Sequence, residues 1–168
     1  LDPIAREFNA QYVLIQAENI PAQSLRDKLP EKYRDIPFTS KDTYSALAAS
    51  DLALSSCGTA NLEAALLETP IIAIYRIHTL SYALGIKFMK IPRFSIVNIL
   101  AGKSVIPELI QKKFTPAALI RETQKILTSE RERDSMKEEF RRIREKLGQD
   151  KASFNAAREL EDLLEREK

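Results

Sequence analysis

The residues best equipped for chemistry lie close together. From Leu52 to Arg76 the chain reads LALSSCGTANLEAALLETPIIAIYR. Ser55, Ser56, Cys57, Gly58 and Thr59 crowd the junction between an apolar run and a helical pattern, and Glu63 follows one turn later. A strand that ends in small polar residues and enters a helix directly is a place to hold an anion. The first N–H groups of a helix lack internal partners and carry roughly half a positive charge. Gly58, without a Cβ, admits an anion close to the backbone, and Ser56 and Thr59 add hydroxyl donors. Such a phosphate site needs neither lysine nor metal. The same residues also describe a plain strand-to-helix turn with a Ser or Thr cap. Glu63, four residues after Thr59, shares its helix face. Its carboxylate can accept from a vicinal diol such as a ribose, or serve only as a favourable charge near the positive helix end.

A second unusual stretch is IVNILAGK, residues 96–103. It reads as a loop in which Asn98 lies between apolar neighbours and is followed by the flexible pair Ala101-Gly102. The Asn98 amide can read a base or sugar edge, or tie the loop down. Arg76, at the end of an apolar strand, either neutralises phosphate or occupies the solvent end of the sheet. His78 is the single histidine and has no partnered acid or serine, which points to a surface or packing role. Cys57 has no identifiable base beside it and is read as the small residue the turn requires rather than as a nucleophile. One His and one Cys are too few for the usual metal sets, so neither a metal site nor a catalytic residue is expected in this chain.

The elements that must position these residues alternate. Gln11 to Ala17 reads as a buried strand, 21–29 as a short helix, and Asp35 to Phe38 as a short edge strand, because Pro37 cannot donate to a ladder. A helix over 40–50 has Ser40 as its expected cap, and 51–56 is a strand. Thr59 to Glu68 is a helix ending before Pro70, and 70–76 is a strongly β-branched strand. A helix is expected over 79–90. Strands alternating with helices at this spacing imply a parallel sheet with helices on both faces, a Rossmann-like α/β arrangement. From Thr115 the chain becomes helical and charged. Thr115-Pro116 starts one helix, and Met136, Phe140, Ile143 and Leu147 form a single stripe on the next, with Gly148 as its stop. Ala152, Ala156, Leu160 and Leu163 repeat the pattern. The expected division is a nucleotide-binding domain over 1–127, lacking its first strand and loop, and a helical extension over 128–168.

Bulk properties agree with an ordinary globular chain. Its 168 residues are 44% hydrophobic and 30% charged, which argues against disorder. The 26 basic and 24 acidic residues nearly cancel, so charge offers no support for a nucleic-acid partner. A single cysteine cannot form an internal disulfide and fits a reducing cytosol. No apolar run approaches the roughly 20 residues that span a bilayer. The chain opens inside a helix-like pattern without a signal-peptide profile, as expected of a segment cut from a longer protein.

Three stretches in order, SSCGTANLEAALLETPIIAIYR, LSYALGIKFMKI and VNILAGKSVIPELIQ, resemble the C-terminal half of bacterial lipid-A-disaccharide synthase, an inverting glycosyltransferase (a hexosyltransferase) of the two-domain GT-B architecture. The resemblance is specific from about Ala48 to Leu127. It implies that the chain binds UDP-2,3-diacylglucosamine, with a diacylglucosamine 1-phosphate as acceptor and UDP as the released product. It further implies Gly58 and Thr59 at the diphosphate, with Ser56 and Cys57 in the same turn, and Glu63 near the nucleoside. Asn98 and Gly102 fall in a second nucleotide-facing loop. No cofactor or metal is implied. The general base belongs to an N-terminal domain outside this chain, so the chain alone is expected to be inactive. Location would be cytoplasmic, peripheral on the inner face of the cytoplasmic membrane of a Gram-negative bacterium, and exchange of C-terminal helices would form a homodimer. Cys57 stands where the family usually has Ser, Thr79 and Val97 where it commonly has Pro, and Lys103 where Arg is common. The alternatives are the donor domain of another GT-B enzyme (an N-acetylglucosaminyltransferase or a UDP-sugar epimerase) and a non-catalytic α/β binding module.

Overall fold

The structure is a computed structural model that describes residues 2–76, 93–148 and 152–166, the side chains of 152–155 and 165–166 excepted. The helix expected over 79–90 and His78 lie outside the described residues. The elements run α1 (Asp2–Phe8), β1 (Leu14–Ile15), α2 (Ala22–Arg26), β2 (Phe38–Thr39), α3 (Thr43–Ala48), β3 (Ala53–Ser56), α4 (Thr59–Leu66) and β4 (Ile71–Tyr75). After the undescribed segment come α5 (Ile96–Ala101), β5 (Glu108–Ile110), α6 (Pro116–Thr128), α7 (Glu130–Leu147) and α8 (Ala152–Arg166).

Every strand pairing among the described residues is parallel, as the alternation of strands and helices requires. β4 is the middle of three strands in the order β3-β4-β5, with Ser56 opposite Ile74 and Ile74 opposite Leu109. β1 and β2 form a separate two-stranded pair with Leu14 opposite Phe38, and no pairing among the described residues joins the two sheets. The result is an α/β fold of Rossmann-like character, flanked by helices. β4 reads as an unbroken apolar run because it is covered: Ile71, Ile72 and Ala73 are fully buried.

Several helix ends follow local chemistry. The Oγ1 of Thr115 accepts from the N–H of Ala118 and Pro116 occupies the first turn of α6, while Gly148, at φ 72°, closes α7. Other expectations need correction. Ser40 caps nothing: α3 starts at Thr43 after Asp42, with no side-chain cap bond. α4 stops at Leu66, two residues short of expectation, because Glu68 takes a left-handed φ of 58° and the Thr69 N–H turns back to the Ala64 carbonyl. The stretch expected as a loop around Asn98 is the helix α5. Ser95 caps it by accepting from the Val97 N–H, and Gly102, at φ 71°, ends it. β5, which follows, was not expected at all.

α7 supplies the main packing result. Met136, Phe140 and Ile143 are buried against a core that includes Ala64, Ala65, Ile71, Ile72, Val97 and Ile126. The Ile71 N–H points at the Met136 sulfur at 3.4 Å, at the start of β4. The first helical stripe is therefore satisfied within this chain as far as Ile143, while its last member, Leu147, is exposed. Each fully buried residue of this size contributes about 1.5–3 kcal/mol, enough to hold the helix against the sheet. α8 differs: Leu160, Leu163 and Leu164 are all more than half exposed.

Candidate functional site

The turn singled out in the sequence sits at the carboxyl end of β3. Parallel α/β sheets bind their ligands outside the carboxyl ends of the strands. Ser56 is the last strand residue and Gly58 the N-cap residue of α4, and Gly58 and Thr59 are exposed. Gly58 is in extended backbone (φ −175°), so no left-handed turn demands glycine here. A Cβ added at Gly58 would meet nothing within 4 Å. Neither backbone geometry nor packing within the described residues therefore accounts for the glycine. Nor does any side chain cap α4, so the plain turn with a Ser or Thr cap is not what forms. The Asn61 N–H turns back to the Gly58 carbonyl at 3.2 Å, and the N–H groups of Thr59 and Ala60 before it meet no side-chain cap among the described residues.

Cys57 is half-buried beside this opening. Burial, and then the nearby Glu108 carboxylate, push its thiol up to about 11, so it stays protonated near neutrality. That agrees with a small, inert residue in the turn. Glu63 follows one turn down α4, half-buried, and makes no hydrogen bond or ion pair with the described side chains. Arg76, just past β4, donates to the Phe114 carbonyl at 3.0 Å and lies over the Phe114 ring, 5.5 Å from its centre. It is exposed at the same end of the sheet as the turn.

Asn98 is placed differently. It is buried in α5 with its amide fully engaged. Its Nδ2 donates to the Ile106 carbonyl (3.0 Å) and to Glu108 (2.8 Å), and its Oδ1 accepts from the N–H groups of Val105 (2.7 Å) and Ile106 (3.0 Å). Of the two roles open from sequence, tying down the following segment is the one present. Gly102 closes the far end of α5, about 9 Å along a six-residue helix from the end that faces α4. Lys103, next to it, pairs with Glu139 of α7 at 2.9 Å.

Three polar residues escaped the sequence reading. The Glu108 carboxylate accepts from the N–H groups of Phe94 and Ser95 as well as from Asn98. The Ser95 hydroxyl accepts from Val97 and, at 3.4 Å, from the Nδ2 of Asn61. Asn61 is fully buried in the first turn of α4. Its signal was available: it stands three and four residues before Ala64 and Ala65, a polar residue on the buried face of a helix. Ser95, just before an apolar run, carries the pattern of an N-cap. Glu108 has no comparable local signal.

The parallel sheets flanked by helices make a Rossmann-like α/β unit and are consistent with the GT-B domain that the resemblance implies. A family model described as lipid-A-disaccharide synthetase matches residues 9–160. Among curated relatives, the lipid-A-disaccharide synthase of Solibacter usitatus is 39% identical over 74% of this chain and 33% of its own length. That of Syntrophus aciditrophicus is 44% identical over 68% and 30%. That of Gloeothece citriformis is 31% identical over 96% and 48%. The chain belongs to the lipid-A-disaccharide synthase family, a family of glycosyltransferases. It spans between about a third and a half of the length of these relatives. No described helix is long and apolar enough to cross a membrane.

Proposed function

We propose that this chain is the donor-binding half of a lipid-A-disaccharide synthase, holding the UDP moiety of a UDP-2,3-diacylglucosamine. The observation that carries the reading is the Gly58 turn. Its missing Cβ answers to no steric or backbone need among the described residues, and the helix behind it offers N–H groups that no side chain caps. In this reading the diphosphate docks on the Ser56 to Thr59 turn, where Cys57 contributes its main chain. Glu63 accepts from the ribose, and Arg76 adds positive charge at the same sheet end. Asn98 and Gly102 act on the ligand only through the placement of α5. Helix-end N–H groups and Arg76 neutralise the phosphates, so affinity does not depend on a divalent cation.

The transferase step needs an acceptor hydroxyl that is oriented and deprotonated, and an N-terminal domain would supply that base and the diacylglucosamine 1-phosphate site. This chain alone then forms no disaccharide. Acylated substrates place the whole enzyme at the cytoplasmic face of the membrane. The exposed Leu160, Leu163 and Leu164 of α8 support pairing with a second copy through C-terminal helices.

The test is calorimetric titration with UDP, with and without EDTA, of the native chain and Gly58→Ala. Alanine fits the open space and the extended backbone, so stability should hold within about 0.5 kcal/mol, as for a neutral surface change. UDP affinity should fall at least about tenfold, because the added methyl occupies the ligand's approach. Equal affinity of both proteins would return the turn to a structural role, and loss of binding in EDTA would remove the metal-free mechanism.

A further inference from the structure

The α4 turn does not stand alone, and the group that holds it lies on another element. Glu108, the first residue of β5, gathers donors from two sources. One oxygen accepts from the Ser95 N–H (2.9 Å) and from the Asn98 Nδ2 (2.8 Å), and both oxygens lie 3.2 Å from the Phe94 N–H. These contacts fix the entry into α5 and its middle. Ser95 then passes the constraint across to α4. Its hydroxyl caps α5 at Val97 and receives the Asn61 amide at 3.4 Å. Asn61 lies two residues after Thr59, in the first turn of α4, which follows directly on the end of β3. α4 and α5 also pack directly on each other.

We propose that Glu108 is a positioning residue of the nucleoside-diphosphate site. Its carboxylate sets α5, and through Ser95 and Asn61 it sets the first turn of α4. The identity of the ligand rests on the function proposed above; the mechanical coupling does not. A carboxylate is the required group because it only accepts. Glutamine with its oxygen in the place of the shared one keeps the bonds from Ser95 and Asn98 but sets its NH₂ 3.2 Å from the Phe94 N–H, donor against donor, and loses the charge; the opposite rotation turns the NH₂ toward Ser95 and Asn98. Direct contact between Glu108 and a diphosphate is disfavoured by like charge, and its oxygens are already committed to these donors. Its charge is felt at the turn all the same, since it bears on the Cys57 thiol.

The test uses the full chain as native protein, Glu108→Gln and Ser95→Ala, each first shown to be folded by circular dichroism. Amide hydrogen exchange is then followed at residues 59–61 and 94–98, and UDP is titrated by calorimetry. Glu108→Gln should accelerate exchange in both segments by about tenfold, the effect of one lost hydrogen bond of ordinary net strength, and weaken UDP by a similar factor. Ser95→Ala removes the hydroxyl, and with it both the link to Asn61 and the cap on the Val97 N–H, while the Ser95 N–H still donates to Glu108. It should loosen 59–61 while Glu108 and Asn98 keep their mutual contact, and it covers the case in which Glu108→Gln fails to fold. Faster exchange confined to 94–98 in Glu108→Gln, with 59–61 and UDP affinity unchanged, would reduce Glu108 to local support for α5 and overturn the proposal. Exchange in 59–61 left unchanged by Ser95→Ala would overturn it equally. A native chain that binds no UDP refutes the ligand assignment alone, and the exchange result still decides the coupling.

Discussion

Replacing Asn98 with alanine should destabilise the ligand-free protein severely, and the size of the effect can be worked from its contacts. The amide makes four hydrogen bonds: two from main-chain N–H groups, one to a main-chain carbonyl and one to Glu108. Alanine strands the N–H and C=O of Ile106, a residue only 2% exposed, and leaves the half-buried Val105 N–H to find water. A stranded buried polar group costs about 1–3 kcal/mol. Two fully stranded groups, one partly relieved and a weakened Glu108 cluster sum to about 3–5 kcal/mol, a large share of the roughly 5–15 kcal/mol that holds a domain together. Urea unfolding followed by circular dichroism, with m unchanged, measures it. Asn98→Asp is the companion. It keeps an acceptor for Val105 and Ile106 but turns an anionic oxygen toward the Ile106 carbonyl and Glu108. The native pKa of the new carboxyl should be raised, so its penalty is largest at neutral pH and eases as the solution is acidified. A loss under about 1 kcal/mol in Asn98→Ala would mean that the amide does not anchor this segment, and the reading of Asn98 as a clamp rather than a ligand contact would fall.

Further outcomes can be checked on the same protein. Glu63→Gln should weaken UDP by about 1.5–3 kcal/mol, the worth of a charged hydrogen bond, and leave pyrophosphate almost untouched; equal weakening would restrict Glu63 to the helix dipole. Cys57 should alkylate slowly near neutrality and faster only as the pH approaches its raised value of about 11. Because folding raises this pKa, the associated stability is complete below the ordinary thiol value of 9.0 and is lost as the pH climbs from there through about 11. An unfolding midpoint that does not move between those pH values in the native chain relative to Cys57→Ser would remove the effect. Light scattering across a concentration series should show self-association that Leu160→Glu with Leu164→Glu abolishes, whereas a native chain monomeric throughout would leave α8 without that partner.

Much of the architecture was written locally. The run of β4, the stripe on α7, the Thr115 start and the Gly148 stop are signals carried by neighbours within a turn or two, so periodicity and cap chemistry reveal them. The strand–turn–helix around Gly58 was legible for the same reason, and with it the best part of the candidate site. The tertiary structure decided the rest. A six-residue helix is too short for a periodic signal, so α5 reads as a loop in the sequence, and only in the structure do Ser95 and Gly102 close its ends. The Met136 to Ile143 stripe shows on its own that it needs cover, but only the packed chain shows that its own sheet and helices provide it. The clamp on the α4 turn joins Glu108 to residues fourteen and ten positions away, and Ser95 to Asn61 thirty-four positions back. Hydrogen bonds at such separations leave no mark in local spacing. They exist because parallel strands return the chain repeatedly to the same end of the sheet, and that return is a property of the fold.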